Sequence, residues 1–274
     1  MMCYTVVYYG AKLALSGKYP RKSLNLYVHI LSTTRLRLSL HDPTDGFYQG
    51  TRFDRSGVFD SILLDGIEMA GRWFERYDPL MHDAVCGPAE EFTVVDGLED
   101  GLMLKIGVGL LRPDTLPYDR FRLYEVADGG EWTVEKTDEC RVRFCHELSD
   151  FYTYVKEIVL TGETSFEIRH KLEAARPIST EVYNHNFFTF GKETVGESRR
   201  VDLPFAPVGP GGMQYALGVS DGPLGVRISG DVPVVRTLFW ANTRVACLEP
   251  YNKVKAAPGE PFSWTLNYQL SNNQ

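Results

Sequence analysis

The sequence has no uninterrupted apolar run near the ~20 residues that a bilayer-spanning helix requires, so no membrane span is expected. It has only five cysteines, Cys3, Cys86, Cys140, Cys145 and Cys247, an odd number at irregular spacing. That argues against a disulfide framework and fits no zinc-ligand pattern. A reducing compartment follows as the expectation, hence a cytoplasmic protein. Basic residues number 29 against 36 acidic ones, a formal net charge of −7. No Lys/Arg cluster stands out that would track a phosphate backbone, so no nucleic-acid partner is expected. Helix-period patterning is missing beyond a turn or two, and there is no internal repeat or linker-like composition shift. The first thirty residues make a poor signal peptide, because Tyr8, Tyr9, Lys12, Lys18, Arg21 and Lys22 interrupt any apolar centre. Residues 1–33 are expected to be an N-terminal extension of uncertain order, and residues 34–274 a single domain. A chain of this length buries most of its apolar surface without disulfide or metal staples.

Aromatic residues are plentiful, with 15 Tyr, 15 Phe and 4 Trp. They favour pleated, half-buried surfaces, and their flat faces also suit the C–H groups of sugars. Period-two alternation is clear in Ser165–Glu173, where Phe166, Ile168, His170 and Leu172 share a face opposite Glu167, Arg169, Lys171 and Glu173. Phe262, Trp264, Leu266 and Tyr268 alternate with polar residues in the same way, the mark of strands with one buried face. Further strands are expected at 24–31, 35–40, 58–64, 102–108, 132–136, 140–146, 152–160, 226–228 and 234–240. Short hairpin-type connections are expected at Asp128-Gly129-Gly130, Thr161-Gly162-Glu163 and Asp221-Gly222-Pro223. A loop is expected at 207–212. Many strands at short spacing imply an all-β fold, a large antiparallel sandwich or barrel.

Four segments carry residues with chemical potential. Val245–Glu249 reads as a strand ending in a carboxylate and stopped by Pro250. A carboxyl at the end of an apolar run is partly desolvated, which raises its pKa toward the general-base range; an edge glutamate in water is the alternative. His185 lies among amides and aromatics in Val182–Phe190, where Asn184 or Asn186 could fix its ring tautomer. A structural histidine is the alternative there. Arg52, within Gly50–Gly57, can direct several hydrogen bonds at vicinal hydroxyls, or it can pair with Asp54 or Glu90. His82 lies in a loop punctuated by glycine and proline, free to face a ligand, and at least one of Glu90 and Glu91 is expected in solvent.

In chain order, "GTRFDRSG", "HDAVCGPAEEF", "YNHNFF" and "CLEPYNKVKAAPGE" resemble the aldose 1-epimerase-like proteins of the galactose mutarotase superfamily. The resemblance runs from about residue 36 to residue 270 and is most specific in the two C-terminal motifs. It implies a large antiparallel β-sandwich (supersandwich) with a site on its concave face. It implies interconversion of the α and β anomers of a free aldose by acid–base ring opening, with a small-molecule sugar as substrate and no cofactor or metal. His185 would be the general acid, Glu249 the general base, and Arg52 and His82 would hold sugar hydroxyls. Trp240, at a strand end, is a candidate for stacking on the ring, against a core role. Family members typically carry an Asn-Arg pair and a His-Gly-Gly loop, where this chain has Thr51-Arg52 and His82-Asp83. Two other readings use the same residues. One is a carbohydrate-binding protein without turnover. The other is a polysaccharide lyase or hydrolase on the same scaffold, for which Tyr183 would be a candidate base.

Overall fold

The structure, a computed structural model, describes residues 6–8, 28–98, 100–191, 198–202 and 215–273. All regular elements among them are β-strands. Eight strands form the larger sheet, in the spatial order Glu131–Asp138, Arg141–Leu148, Tyr152–Gly162, Ser165–Ala174, Phe262–Asn272, Leu224–Gly230, Tyr215–Asp221 and Arg199–Asp202. A second sheet of five strands runs Val6–Tyr8, Val234–Ala241, Ala246–Ala256, Ile178–Phe187 and Gly87–Phe92. Smaller sheets of four and three strands, built from residues 28–68 and 103–128, complete the molecule. The all-β antiparallel sandwich expected from the sequence is therefore the fold. No helix of the described residues is long and apolar enough to cross a membrane.

The alternation in Ser165–Ala174 does what period two requires. Phe166, Ile168, His170 and Leu172 are buried, and across the ladder they face Tyr268, Leu266, Trp264 and Phe262. Each buried large apolar side chain contributes roughly 1.5–3 kcal/mol relative to exposure. Phe166, Ile168, Leu266 and Tyr268 join Phe144 and Ile158 of the same sheet, Leu248 of the five-stranded sheet and Leu38, Phe59 and Ile62 of the four-stranded one in one core, while Leu172 and Trp264 belong to a second with Tyr154 and Phe92.

Three expectations change on folding. Asp128-Gly129-Gly130 is not a hairpin turn; it carries the chain from the three-stranded sheet into the eight-stranded one. Pro250 does not stop its strand but sits inside Ala246–Ala256, opposite Thr237. On its other side the ladder to the His185 strand is interrupted between Tyr183↔Tyr251 and the Phe188↔Ala246 bridge. Proline falls in that gap, where its missing N–H is not needed. Gly87–Phe92 is a strand buried along its whole length, not a solvated loop. Within the expected N-terminal extension, Val6–Tyr8 pairs in parallel with Val234–Ala241, and Val28–Ser32 pairs with Leu36–His41. The loop expected at 207–212 lies outside the described residues.

Candidate active site

One face of the five-stranded sheet assembles the site by register alone. The pairing Tyr183↔Tyr251 and the bridge Phe188↔Ala246 keep the same register, which sets His185 opposite Glu249. On the outer flanks Leu238 pairs with Glu249, and Ala89 pairs with His185. One row along, the same face carries Tyr251, Tyr183 and Glu91; one row the other way it carries Trp240, Cys247 and Phe187. Residues two apart on a strand share a face, so Cys247, Glu249 and Tyr251 line up, as do Tyr183, His185 and Phe187. Ala89 beside His185 keeps the row low.

His185 Nδ1 and Glu249 Oε1 are 3.2 Å apart. The two groups are not aligned for a hydrogen bond, and His185 Nδ1 has no partner. His185 stacks on Phe187 at 3.9 Å and meets Trp240 edge-on at 5.7 Å. Above them opens a pocket of ≈ 420 Å³, lined by Arg52, Trp73, Arg120, Tyr183, Trp240 and Tyr251 among others, with His185 and Glu249 also in its wall. That volume lies within the range of small-molecule sites, as does the mix of aromatic walls and few polar groups.

Of the residues singled out from the sequence, His185, Glu249, Arg52 and Trp240 share this one pocket. Trp240 is half-buried: it lines the pocket and also packs against the buried cluster that includes Phe187 and Val245. His82 is not in its wall; it packs edge-on at 5.1 Å against Phe121, which is. Asn184 and Asn186 do not reach the His185 ring. As alternating neighbours they point to the opposite face, where Asn184 donates to Glu90 and Asn186 donates to the Leu248 carbonyl. That second bond fills the gap in the ladder beside Pro250.

Glu90 and Glu91 are both buried, at 1% and 2% exposure, which corrects the expectation of a solvated loop. Adjacent on one strand, they face opposite ways. Glu91 faces the site and accepts from Arg52 Nε at 2.6 Å, so Arg52 pairs with neither Asp54 nor Glu90. The Tyr183 hydroxyl donates to Glu91 at 2.5 Å and accepts from Arg52 and Arg120 at 3.0 and 3.1 Å. Burial alone would raise the Glu91 carboxyl, but Lys105, Arg52 and Arg120 outweigh it and hold the pKa below the ordinary value. Tyr183 is pushed well above the usual tyrosine range by burial and the Glu91 charge, which favours its protonated form. Glu90 faces the core between the sheets, where His170 Nε2 lies 2.5 Å away and Lys156 Nζ 2.6 Å away. Lys156 also reaches Asp54 at 3.4 Å. Gly107, at φ +75°, lies over Asp54 so closely that a Cβ would meet the carboxylate.

The electrostatics of the pair differ from the cationic imidazole and anionic carboxylate that the sequence suggested. Burial pushes the Glu249 carboxyl up to about 8, with Arg52 opposing and Glu91 reinforcing the shift. Burial, joined by the positive charges of Arg52 and Arg120, holds His185 well below the ordinary histidine value. Both shifts favour the uncharged forms. A single proton shared by the pair is therefore favoured on the Glu249 carboxyl over the His185 ring.

Arg120, Trp73, Phe121 and Tyr251 were not anticipated. Arg120 and Phe121 belong to an irregular segment whose position depends on tertiary packing, and only the neighbouring aromatics of Tyr118–Tyr124 hint at a packed loop. Among the described residues, His185, Cys247 and Glu249 also form a group able to hold a metal ion, with ligand atoms all within 4.8 Å of one another.

The sheet order and topology are those of a large, mainly antiparallel β-sandwich. Comparison with solved structures gives the same fold. An aldose epimerase homologue from C. elegans is matched over 91% of this chain and 100% of its own, with a TM-score of 0.58 and 12% identity. A galactose mutarotase-like protein from Clostridium acetobutylicum is matched over 90% and 99%, with a TM-score of 0.55 and 12% identity. A galactose 1-epimerase from Lactobacillus acidophilus is matched over 94% and 98%, with a TM-score of 0.53 and 12% identity. No family model and no curated protein sequence matches the chain.

Proposed function

We propose that this protein is an aldose 1-epimerase-type isomerase that interconverts the anomers of a free sugar, with His185 and Glu249 as its acid–base pair. The observation that carries this reading is the pair itself: two titratable groups 3.2 Å apart, unaligned with each other and set in the wall of a pocket. Neutral His185 takes the proton of the anomeric hydroxyl while Glu249 gives its proton to the ring oxygen. The C1–O5 bond opens to the aldehyde. After rotation about C1–C2 the imidazolium returns its proton to the carbonyl oxygen, the Glu249 carboxylate takes the proton of the C5 hydroxyl, and the ring closes on the other face. The proton balance returns to its starting point, so no cofactor is consumed. This assigns the opening roles the other way round from those the sequence resemblance implies, and the reason is desolvation. Arg52 and Arg120 hold hydroxyls at the rim, His82 supports that rim through Phe121, and Trp240 and Trp73 offer flat faces to the ring. The free thiols of Cys86, Cys140, Cys145 and Cys247 suit the reducing interior of a cell, and we place the protein there.

Polarimetry on freshly dissolved aldoses tests the reading: added protein should accelerate the approach to anomeric equilibrium for at least one sugar of a panel. Sugar binding with no acceleration across the panel would leave a binding protein in its place.

The protonation scheme fixes a pH profile. Activity needs one proton on the pair, so kcat/KM should stay level through neutrality and fall about tenfold per unit once pH exceeds the Glu249 value of about 8. The acid limb should lie well below the ordinary histidine value, because His185 is held down. These apparent values belong to the pair as a unit. Nitrogen-15 shifts of the His185 ring at pH 7 should read as neutral imidazole, and imidazolium shifts would overturn the scheme.

A further inference from the structure

Cys247 plays no part in the sugar chemistry, yet it sits on the same face as Glu249, two residues away and fully buried. Its sulfur, a ring nitrogen of His185 and a Glu249 carboxylate oxygen lie within 4.8 Å of one another. His185 Nδ1 is buried without a hydrogen-bond partner. From this geometry we infer that His185, Cys247 and Glu249 form a binding site for a borderline-soft divalent cation such as zinc, and that the ion blocks the pocket floor by taking up the acid–base pair.

The donor set is one imidazole nitrogen, one thiolate and one carboxylate, the mixture that favours zinc or cobalt over calcium or magnesium. Bonds of about 2.0–2.3 Å in a tetrahedral arrangement need ligand atoms roughly 3.3–3.8 Å apart. The 3.2 Å between Nδ1 and Oε1 falls just short of this range, and the other separations, none above 4.8 Å, reach it with side-chain shifts of roughly 1–1.5 Å at most. Three protein ligands leave a fourth position open on the ion, and two of them, His185 and Glu249, lie in the pocket wall. Arg52 and Arg120 oppose a cation here, but thiolate and carboxylate together supply two negative charges and neutralise the ion locally. Binding displaces the thiol proton of Cys247 and the carboxyl proton of Glu249 into solvent, so the ligands bind in their deprotonated forms. The three ligands come from neighbouring strands of one sheet, which holds them in place before the ion arrives.

The site stands whether or not the pair turns over sugars, so the test reads the metal directly. Cobalt(II) is titrated into the full-length protein and followed by absorption. The expected result is one equivalent bound, with intense tetrahedral d–d bands and a near-ultraviolet sulfur-to-cobalt charge-transfer band, both lost when zinc is added. Cys247→Ala should lose the charge-transfer band and bind at least about tenfold more weakly, no less than the 10–100-fold loss typical of removing a supporting partner. Should Cys247→Ala fail to fold, the double variant Cys140→Ser/Cys145→Ser must keep the band, because those thiols lie elsewhere. No charge-transfer band in the natural protein, its persistence in folded Cys247→Ala, or its loss in the double variant each overturns the inference.

Discussion

Glu249→Gln and His185→Asn should each slow anomer interconversion by about a hundred- to ten-thousand-fold, the usual worth of a positioned acid or base. Glutamine keeps the shape of glutamate but can neither give nor take the proton. Asparagine keeps a polar group near the imidazole position without a titratable nitrogen. Neither change should unfold the protein, and for Glu249→Gln the sign of the stability change can be worked out. The Glu249 carboxyl is raised from its ordinary value of 4.5 to about 8. A group raised in the folded state stabilises fully below its unfolded value and loses that contribution as pH climbs to the folded one. The natural protein therefore gives up stability between about pH 4.5 and 8, and the glutamine variant, with nothing to titrate there, does not. Thermal midpoints at pH 5 and pH 8 should show the variant gaining on the natural protein at the higher pH. A catalytic loss beside a gain in stability is the signature of a group kept for chemistry. Rates within about threefold of the natural protein in either variant would remove the pair from the mechanism.

Lys156→Met should cost about 3–5 kcal/mol, the usual penalty for removing one partner of a buried ion pair. Lys156 is 2% exposed and lies between Glu90 at 2.6 Å and Asp54 at 3.4 Å, both carboxylates being fully buried. Methionine fills much the same volume, so packing is kept and the charge alone is lost. Without Lys156, Glu90 keeps the His170 ring and the Asn184 amide beside it, and Asp54 keeps the Ser56 backbone N–H and the hydroxyls of Ser56 and Tyr154. Asp54 already sits up at about 6, chiefly through burial, with Lys156 pulling against that rise. In the variant it should rise further and take up a proton more readily. The destabilisation should therefore be larger at pH 8 than at pH 5, as read from denaturant midpoints. Equal losses at both pH values, or a loss under about 1 kcal/mol, would mean the lysine carries little of this cluster.

Much of the sandwich was legible in the sequence because its strands have unlike faces. Ser165–Ala174 and Phe262–Asn272 each bury one side, and alternation records that directly. Gly87–Phe92 was not legible. Its two glutamates are satisfied by Arg52, Lys156 and His170, the last some 80 residues away along the chain, so nothing local marks it as a strand. Pro250 misled for a similar reason: the ladder gap that tolerates it is a property of the neighbouring strand. His185 and Glu249 were singled out because the motifs around them resemble a known family, while the physical cause of their meeting, a shared register between antiparallel strands, depends on which strands are neighbours. The protonation of the pair was half visible. A glutamate raised by burial was expected, but the opposite push of burial on the imidazole required seeing how deep His185 lies.

The central pair hangs on paired backbone, while Arg120 and Phe121 reach the cavity from an irregular segment and His82 touches its edge from another. On the proposed reading, reactivity and selectivity would then be carried by separable parts of the molecule. Exchanging the residues around Arg120 or His82 should change which sugar binds while leaving the His185–Glu249 spacing as it is, so loop replacement alone would be a route to new substrates.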